Sequence, residues 1–138
     1  MTAEESTGGP LRFTLPRSRR IARSGDFRRV YALRASVADD RLVVYARANG
    51  LAFSRLGVSV GRKHGAGVQR NALKRVLREA FRLSQHRLPQ GYDFILIPRR
   101  GSRPAPADLQ AALVHLARRA ADRADRKQAA APTGERGP

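Results

Sequence analysis

The chain has 138 residues, is 41% hydrophobic, contains neither Cys nor Trp, and sets 28 Lys and Arg against 11 Asp and Glu for a net charge of +17. That length suits one domain with a modest core, and without Cys a disulfide framework and a thiolate metal site are excluded, which is consistent with a cytosolic location. The charge calls for a polyanionic partner, nucleic acid being the commonest and an anionic membrane surface the alternative.

Residues 1–10 read as a disordered tail ending at Gly8-Gly9-Pro10; they are polar and lack the apolar stretch of a secretory signal, and no run anywhere approaches a membrane span. A single domain is expected over residues 11–126, with a second disordered tail at 127–138. Leu11 to Arg23 is a basic, mostly irregular arm in which Pro16 ends any early element. Ser24 looks like an N-cap with Asp26 in the first turn of a short helix, and Phe27, Val30 and Tyr31 share one of its faces.

Ala35 to Asp40 is a turn or a short edge strand, with Asp39-Asp40 as turn residues. Arg41 to Arg47 reads as a strand, and Asn49-Gly50 predicts a hairpin to a return strand over about Phe53 to Gly61, where Leu56, Val58 and Val60 alternate with Arg55, Gly57 and Ser59. A glycine-punctuated basic loop leads into a helix that ends near His86. Tyr92 to Pro98 is a continuous apolar, central strand. A basic, Pro-rich loop, Arg99 to Pro106, precedes a last helix that starts at Asp108; there Leu109, Leu113 and Leu116 bury while Arg118, Arg119, Arg123 and Arg126 face water. From about Lys127 the composition suggests fraying.

The element order is α-β-β-β-α-β-α, an α+β two-layer sandwich of a small sheet with helices against it. The strands before and after the basic helix are candidate parallel neighbours, and the default handedness of such a crossover is right-handed.

The helix after Gly67 has two opposed faces. Leu73, Val76, Leu77, Ala80 and Phe81 recur as one buried stripe, while Asn71, Lys74, Arg75, Arg78 and Arg82 crowd the other arc, with Glu79 the lone acid at its edge. Seven cations fall between Gly61 and Arg82: Arg62, Lys63, Arg70, Lys74, Arg75, Arg78 and Arg82. A merely solvated face would mix signs for i,i+4 pairing, and this one does not. Few base-reading side chains accompany the cations, which favours phosphate contact over groove readout of DNA. Gly61, Gly65 and Gly67 resemble a phosphate cradle at a helix start, without the Gly-Lys-Ser/Thr of a P-loop.

Phe27, Tyr31 and Tyr45 have two readings. They are core, or they line a cleft where single-stranded bases stack beside Arg. Nothing resembles a catalytic set. His64, His86 and His115 are scattered and read as solvated or incidental, and the acids show no spacing for acid–base work or a metal cage. That argues against a stand-alone nuclease.

The run R-N-A-L-K-R-V-L-R-E-A-F, preceded by L-G-V-S-V-G-R-K-H-G-A-G-V, together with S-G-D-F-x-x-V-Y and G-Y-D-F-I-L-I-P-R, resembles the bacterial ribonuclease P protein component over about residues 17 to 120. The resemblance implies a ribosomal-protein-like fold with a left-handed β-α-β crossover, which replaces the default. It also implies the non-catalytic protein subunit of a cytoplasmic ribonucleoprotein endoribonuclease. In that assembly the RNA subunit is catalytic, Mg²⁺ is held mainly by the RNA, and phosphodiester hydrolysis removes the 5′ leader of precursor tRNA. By position, Arg62, Lys63, Arg70, Asn71, Lys74, Arg75 and Arg78 become the RNA-binding set, to which Arg82 of the same basic arc is added; Arg20, Phe27, Tyr31 and Tyr45 become the leader cleft. The family's motif usually reads Arg-Asn-Arg where this chain has Ala72 in the third place, about 100° off the centre of the basic arc, and Gly61 stands where the family often has Ser. The alternative is a non-enzymatic RNA-binding protein of ribosomal type, which would not need the aromatic cleft.

Overall fold

The computed structural model describes residues 15–99 and 106–130. The expected tail at 1–10, residues 131–138 of the tail expected at 127–138, and most of the Pro-rich loop before the last helix lie outside the described residues. In chain order the elements are α1 (Ser24–Leu33), β1 (Ser36–Ala38), β2 (Leu42–Ala48), β3 (Arg55–Val58), α2 (Gly67–Ser84), β4 (Tyr92–Pro98) and α3 (Pro106–Ala130), with single 3₁₀ turns at Arg17–Arg19, Arg62–His64 and Gln85–Arg87. This is the expected α-β-β-β-α-β-α order. Residue 24 begins α1 rather than capping it; Arg23 is the cap and offers no side-chain bond. The last helix runs on past Lys127 to Ala130, and the Gln128 side chain accepts a bond from the Ala48 N–H at 3.0 Å.

The sheet order is β1-β2-β4-β3. β1 and β2 form the tight hairpin, its turn held by the Asp39 carboxylate, which accepts from the N–H groups of Arg41 and Leu42 at 2.8 and 2.9 Å. The hairpin expected at Asn49-Gly50 does not form. The chain does turn there, with Gly50 at φ 74°, but β4 inserts between β2 and β3, antiparallel to the first and parallel to the second. The reason is burial: β4 is apolar on both faces, so the centre of the sheet is where it removes the most surface from water. β3 and β4 are therefore parallel neighbours joined through α2.

Register assigns every side chain to a face, because paired residues on neighbouring strands point the same way. Leu42, Val44 and Ala46 of β2, Phe94, Leu96 and Pro98 of β4, and Leu56 of β3 share one face and are buried. They pack with Leu77, Ala80 and Phe81 of α2 and with Leu109, Leu113 and Leu116 of α3 in the main core. The opposite face carries the rows Val43–Ile97, Tyr45–Ile95–Gly57 and Arg47–Asp93–Arg55. Of the described helices only α1 lies on it, packed on β2 and β4, and Ile21 of the arm joins Val30 and Ile95 in a second, smaller cluster there. A helix about 10 Å wide covers roughly two strands spaced about 4.8 Å apart, so part of this face stays open.

Charged side chains tie the layers. Arg118, Arg123 and Lys127 of α3 are exposed but donate to the carbonyls of Arg87, Ser36 and Arg34 at 3.2, 2.9 and 2.9 Å. The Tyr92 hydroxyl donates to Asp125 at 2.7 Å. On the open face Asp93 is 5% exposed and accepts a two-pronged bond from Arg55, Nε to Oδ1 at 2.8 Å and Nη2 to Oδ2 at 2.6 Å. Asn49 donates to the same carboxylate at 2.9 Å, and Arg55 Nη1 reaches Asp26 of α1 at 3.7 Å. The Asp93 bond raises the Arg55 pKa above its ordinary value. This cluster fixes the start of α1 over the sheet.

Asp93→Ala leaves Arg55 short of its main partner and should cost about 3 kcal/mol, the low end for breaking a buried pair, since Arg55 keeps contact with water. Urea unfolding should show a lower midpoint at unchanged slope.

Candidate nucleic-acid interface

The cationic surface is built by α2 and the turn before it. Amphipathic spacing sends Leu77, Ala80 and Phe81 into the core, which leaves Asn71, Arg75 and Arg78 exposed and Lys74 and Arg70 half-buried. Arg62 and Lys63 are exposed on their 3₁₀ turn. Arg82 is engaged: its guanidinium bonds Glu79, Nε to Oε1 at 3.0 Å with a second, shorter contact. Those bonds hold the Glu79 carboxyl below the usual carboxylate range, so it stays ionised. Ala72 is exposed, and Val68 on the first turn is 83% exposed.

The turn carrying Arg62 and Lys63 is fastened from below by His64, which is buried rather than solvated. Gly61 N–H donates to His64 Nδ1 at 3.0 Å, and Nε2 lies 2.7 Å from the Pro98 carbonyl. A neutral ring with its hydrogen on Nε2 satisfies both bonds. His86 and His115 are exposed. The phosphate cradle suggested by the glycines is largely spent internally: Gly61 N–H goes to His64, Gly65 N–H to the Arg62 carbonyl at 3.1 Å, and Ala66 N–H to the Gln69 side chain at 2.8 Å. Gly65 has φ 118°, a conformation glycine is needed for, and a Cβ there would collide with the Gln69 side chain.

The aromatic residues come together on the open sheet face. Phe27 and Tyr31 of α1 have centroids 6.4 Å apart, and Tyr31 meets Tyr45 of β2 edge-on at 5.0 Å. All three rings are half-buried and pack on the small cluster of Ile21, Val30 and Ile95. The rings therefore serve the core with one side and solvent with the other. Gly57 makes the arrangement possible: its backbone is ordinary strand, but a Cβ would come within 2.9 Å of the Phe27 ring.

The arm joins the two surfaces. Ile21 N–H bonds the Leu56 carbonyl at 2.7 Å along the free edge of β3, and Arg20 Nη2 donates to the Leu15 carbonyl at 3.1 Å. A pocket of about 260 Å³ at this edge is lined by Arg17, Arg20, Phe27, Val58 and Arg78, among others. A polar basin of about 370 Å³ next to it is lined by Leu15, Arg20, Asn71, Arg75, Arg78, Glu79 and Arg82. Arg20 and Arg78 belong to both, so Arg20 stands with the α2 cations as well as with Phe27. The sequence marks Arg17 at this junction as part of the basic arm and not as a site residue, and the Asp93–Arg55 pair escaped the sequence reading; an acid inside an apolar strand was the available signal for the latter, since a buried carboxylate needs a partner.

Among the described residues, no group of three or more His, Cys, Asp or Glu could hold a metal ion, and no helix is long and apolar enough to cross a membrane.

The family model described as Ribonuclease P matches residues 15–121. The chain is 38% identical over 98 residues to the ribonuclease P protein component of Alkaliphilus oremlandii, covering 70% of this chain and 86% of that one. It is 34% identical over 105 residues to that of Clostridioides difficile, covering 75% and 92%. The solved RNase P protein from Thermotoga maritima superposes with a TM-score of 0.67 at 34% identity over 72% of this chain and 96% of that one. The Staphylococcus aureus RNase P protein gives 0.63 at 35% identity over 71% and 91%.

Gly57→Ala should force the Phe27 ring off β3 and cost about 1–3 kcal/mol as overpacking, although alanine is the better strand residue. Adding Phe27→Leu should return most of that stability, read by thermal melting of the single and double variants.

Proposed function

The chain belongs to the ribonuclease P protein family, and on that premise we propose that it is the protein subunit of a ribonuclease P, docking on the RNA subunit through α2 and holding the 5′ leader of precursor tRNA on the open sheet face. The observation that carries this reading is the adjacency of two unlike surfaces. One is a cationic helix face with a single acid, suited to phosphates; the other is a row of half-buried rings flanked by Arg20 and Arg17, suited to stacked single-stranded bases. Arg20 and Arg78 stand where the two meet.

Each residue's proposed work is positional. Arg62, Lys63, Arg70, Lys74, Arg75 and Arg78 neutralise backbone phosphates of the RNA subunit, with Asn71 hydrogen-bonding among them and Arg82 contributing at the edge. Phe27, Tyr31 and Tyr45 take leader bases against their exposed sides, and Arg20 takes a leader phosphate. Fixing the leader relative to the RNA subunit presents one phosphodiester bond to the RNA, where hydrolysis takes place. The cationic face of α2 does not fit a resident Mg²⁺: apart from Glu79, which is engaged by Arg82, its charged groups are guanidinium and ammonium. In this proposal the metal belongs to the RNA, and the complex works in the cytoplasm.

Reconstitution with the RNA subunit at low Mg²⁺ should raise 5′ maturation of precursor tRNA; no stimulation would refute the proposal. Tyr31→Ala or Tyr45→Ala should weaken binding of long-leader substrate by roughly tenfold, the scale of removing one stacked base, and spare leaderless substrate. An equal effect on both would make the rings core alone. Arg75→Glu with Arg78→Glu should weaken RNA-subunit binding and flatten the log–log salt dependence by about 0.7–0.9 for each phosphate that is no longer neutralised.

A further inference from the structure

Between α2 and α3 lies a groove of about 270 Å³ lined by Val76, Ala80 and Leu83 of α2, Gln110 of α3, and Arg75 and Glu79. Val76, Ala80 and Leu83 follow the i, i+4, i+7 spacing of a helical stripe and make its walls apolar. The volume is below the roughly 300–1,000 Å³ of a drug-sized ligand site and suits one planar ring system. Arg75 and Glu79 also line the polar basin of the cationic face. Groove and basin therefore adjoin across one edge of α2, and whatever docks on the cations passes the mouth of the groove.

Glu79 is otherwise hard to account for. It is the only acid on α2, and its side chain is 52% exposed. On a face that binds phosphate it weakens the attraction, both by its own charge and by occupying Arg82. A carboxylate beside an apolar slot has a use of its own, since it accepts hydrogen bonds from the exocyclic amino group of a base. Gln110 supplies a neighbouring amide that can donate or accept, and the planar Arg75 guanidinium can cover a ring.

Resting on the reading of α2 as the RNA-docking helix, we infer that this groove seats one unpaired, amino-bearing nucleobase of the RNA subunit. Its ring lies against Val76, Ala80, Leu83 and the Arg75 guanidinium, and its edge faces Glu79 and Gln110. The cations bind any strand of suitable shape, whereas the groove selects a position along it, with adenine, cytosine or guanine accepted over uracil.

The test is binding of the full chain to the RNA subunit at fixed salt, with chemical probing of Watson–Crick edges in the complex. Glu79→Ala and the groove-filling Gln110→Phe should each weaken binding by roughly tenfold, and both should expose the same single nucleotide. The salt dependence should not change, because every phosphate stays neutralised. Changing that nucleotide to uracil should reproduce the weakening. Tighter or unchanged binding by Glu79→Ala, as expected of an acid that only repels phosphate, would overturn the inference. So would a Gln110→Phe effect on self-association without one on RNA binding, which would make the groove a contact between copies. Should Gln110→Phe fail to fold, Glu79→Ala, on an exposed side chain, decides alone. The Arg75→Glu, Arg78→Glu pair separates the two readings. If it weakens binding while Glu79→Ala does not, the groove inference alone falls; if it too has no effect, the docking reading falls with it.

Discussion

The structure depends on one imbalance. Its four-stranded sheet has two faces with apolar rows, and the described residues supply three α-helices to cover them. α2 and α3 bury most of one face, with Phe94, Leu96 and Val44 fully out of water. The other face receives α1, ten residues long and about 15 Å in length, which is too little for four strands. What α1 leaves uncovered cannot be made wholly polar, because β4 is the central strand and its Ile95 and Ile97 point there. Aromatic rings resolve the conflict: Phe27, Tyr31 and Tyr45 pack one side on Ile95 and Val30 and leave the other to solvent. In the proposed subunit that leftover surface is where leader bases stack.

A helix held by so small a cluster needs its position set by other means. Arg55 does this from β3, with a buried fork onto Asp93 and a longer contact to Asp26 at the start of α1. Gly57, one cross-strand row away, leaves the space into which Phe27 settles. His64 performs the matching service on the other side, tying the turn that carries Arg62 and Lys63 to the end of β4. Both surfaces are thus referenced to the same central strand. Their relative placement is as rigid as β4 itself, and Arg20 and Arg78 bridge the short distance between them.

Much of this was legible in the sequence where the signal is local. The 3.6-residue period and one-signed charge of α2 lie within eighteen residues, and the structure sorts Leu77 and Phe81 from Arg75 and Arg78 along the same line. The order of elements and the parallel pairing across α2 were legible too. Strand partnership was not: Asn49-Gly50 does make a turn, but which strand lies beside β2 is decided by burial of β4, more than forty residues on. The Asn49 side chain serves Asp93 instead. The same non-locality hid Arg20's place beside α2 and the buried role of His64, since neither the Leu15 carbonyl nor the Pro98 carbonyl is marked by any sequence pattern. Spacing did bring Phe27 and Tyr31 to one face; that the rings would be half core and half surface required the sheet.

The central claim is that one rigid frame presents two RNA strands to two surfaces of this protein. Site-specific photocrosslinking in the complex of full chain, RNA subunit and long-leader precursor tRNA tests it most directly, with the photoreactive residue placed at Tyr45 on the sheet face or at Ala72 on the exposed side of α2. The expected result is a crosslink from position 45 to the leader and from position 72 to the RNA subunit. Crosslinks from both positions to the same strand, or none from position 45 to the leader, would contradict the account.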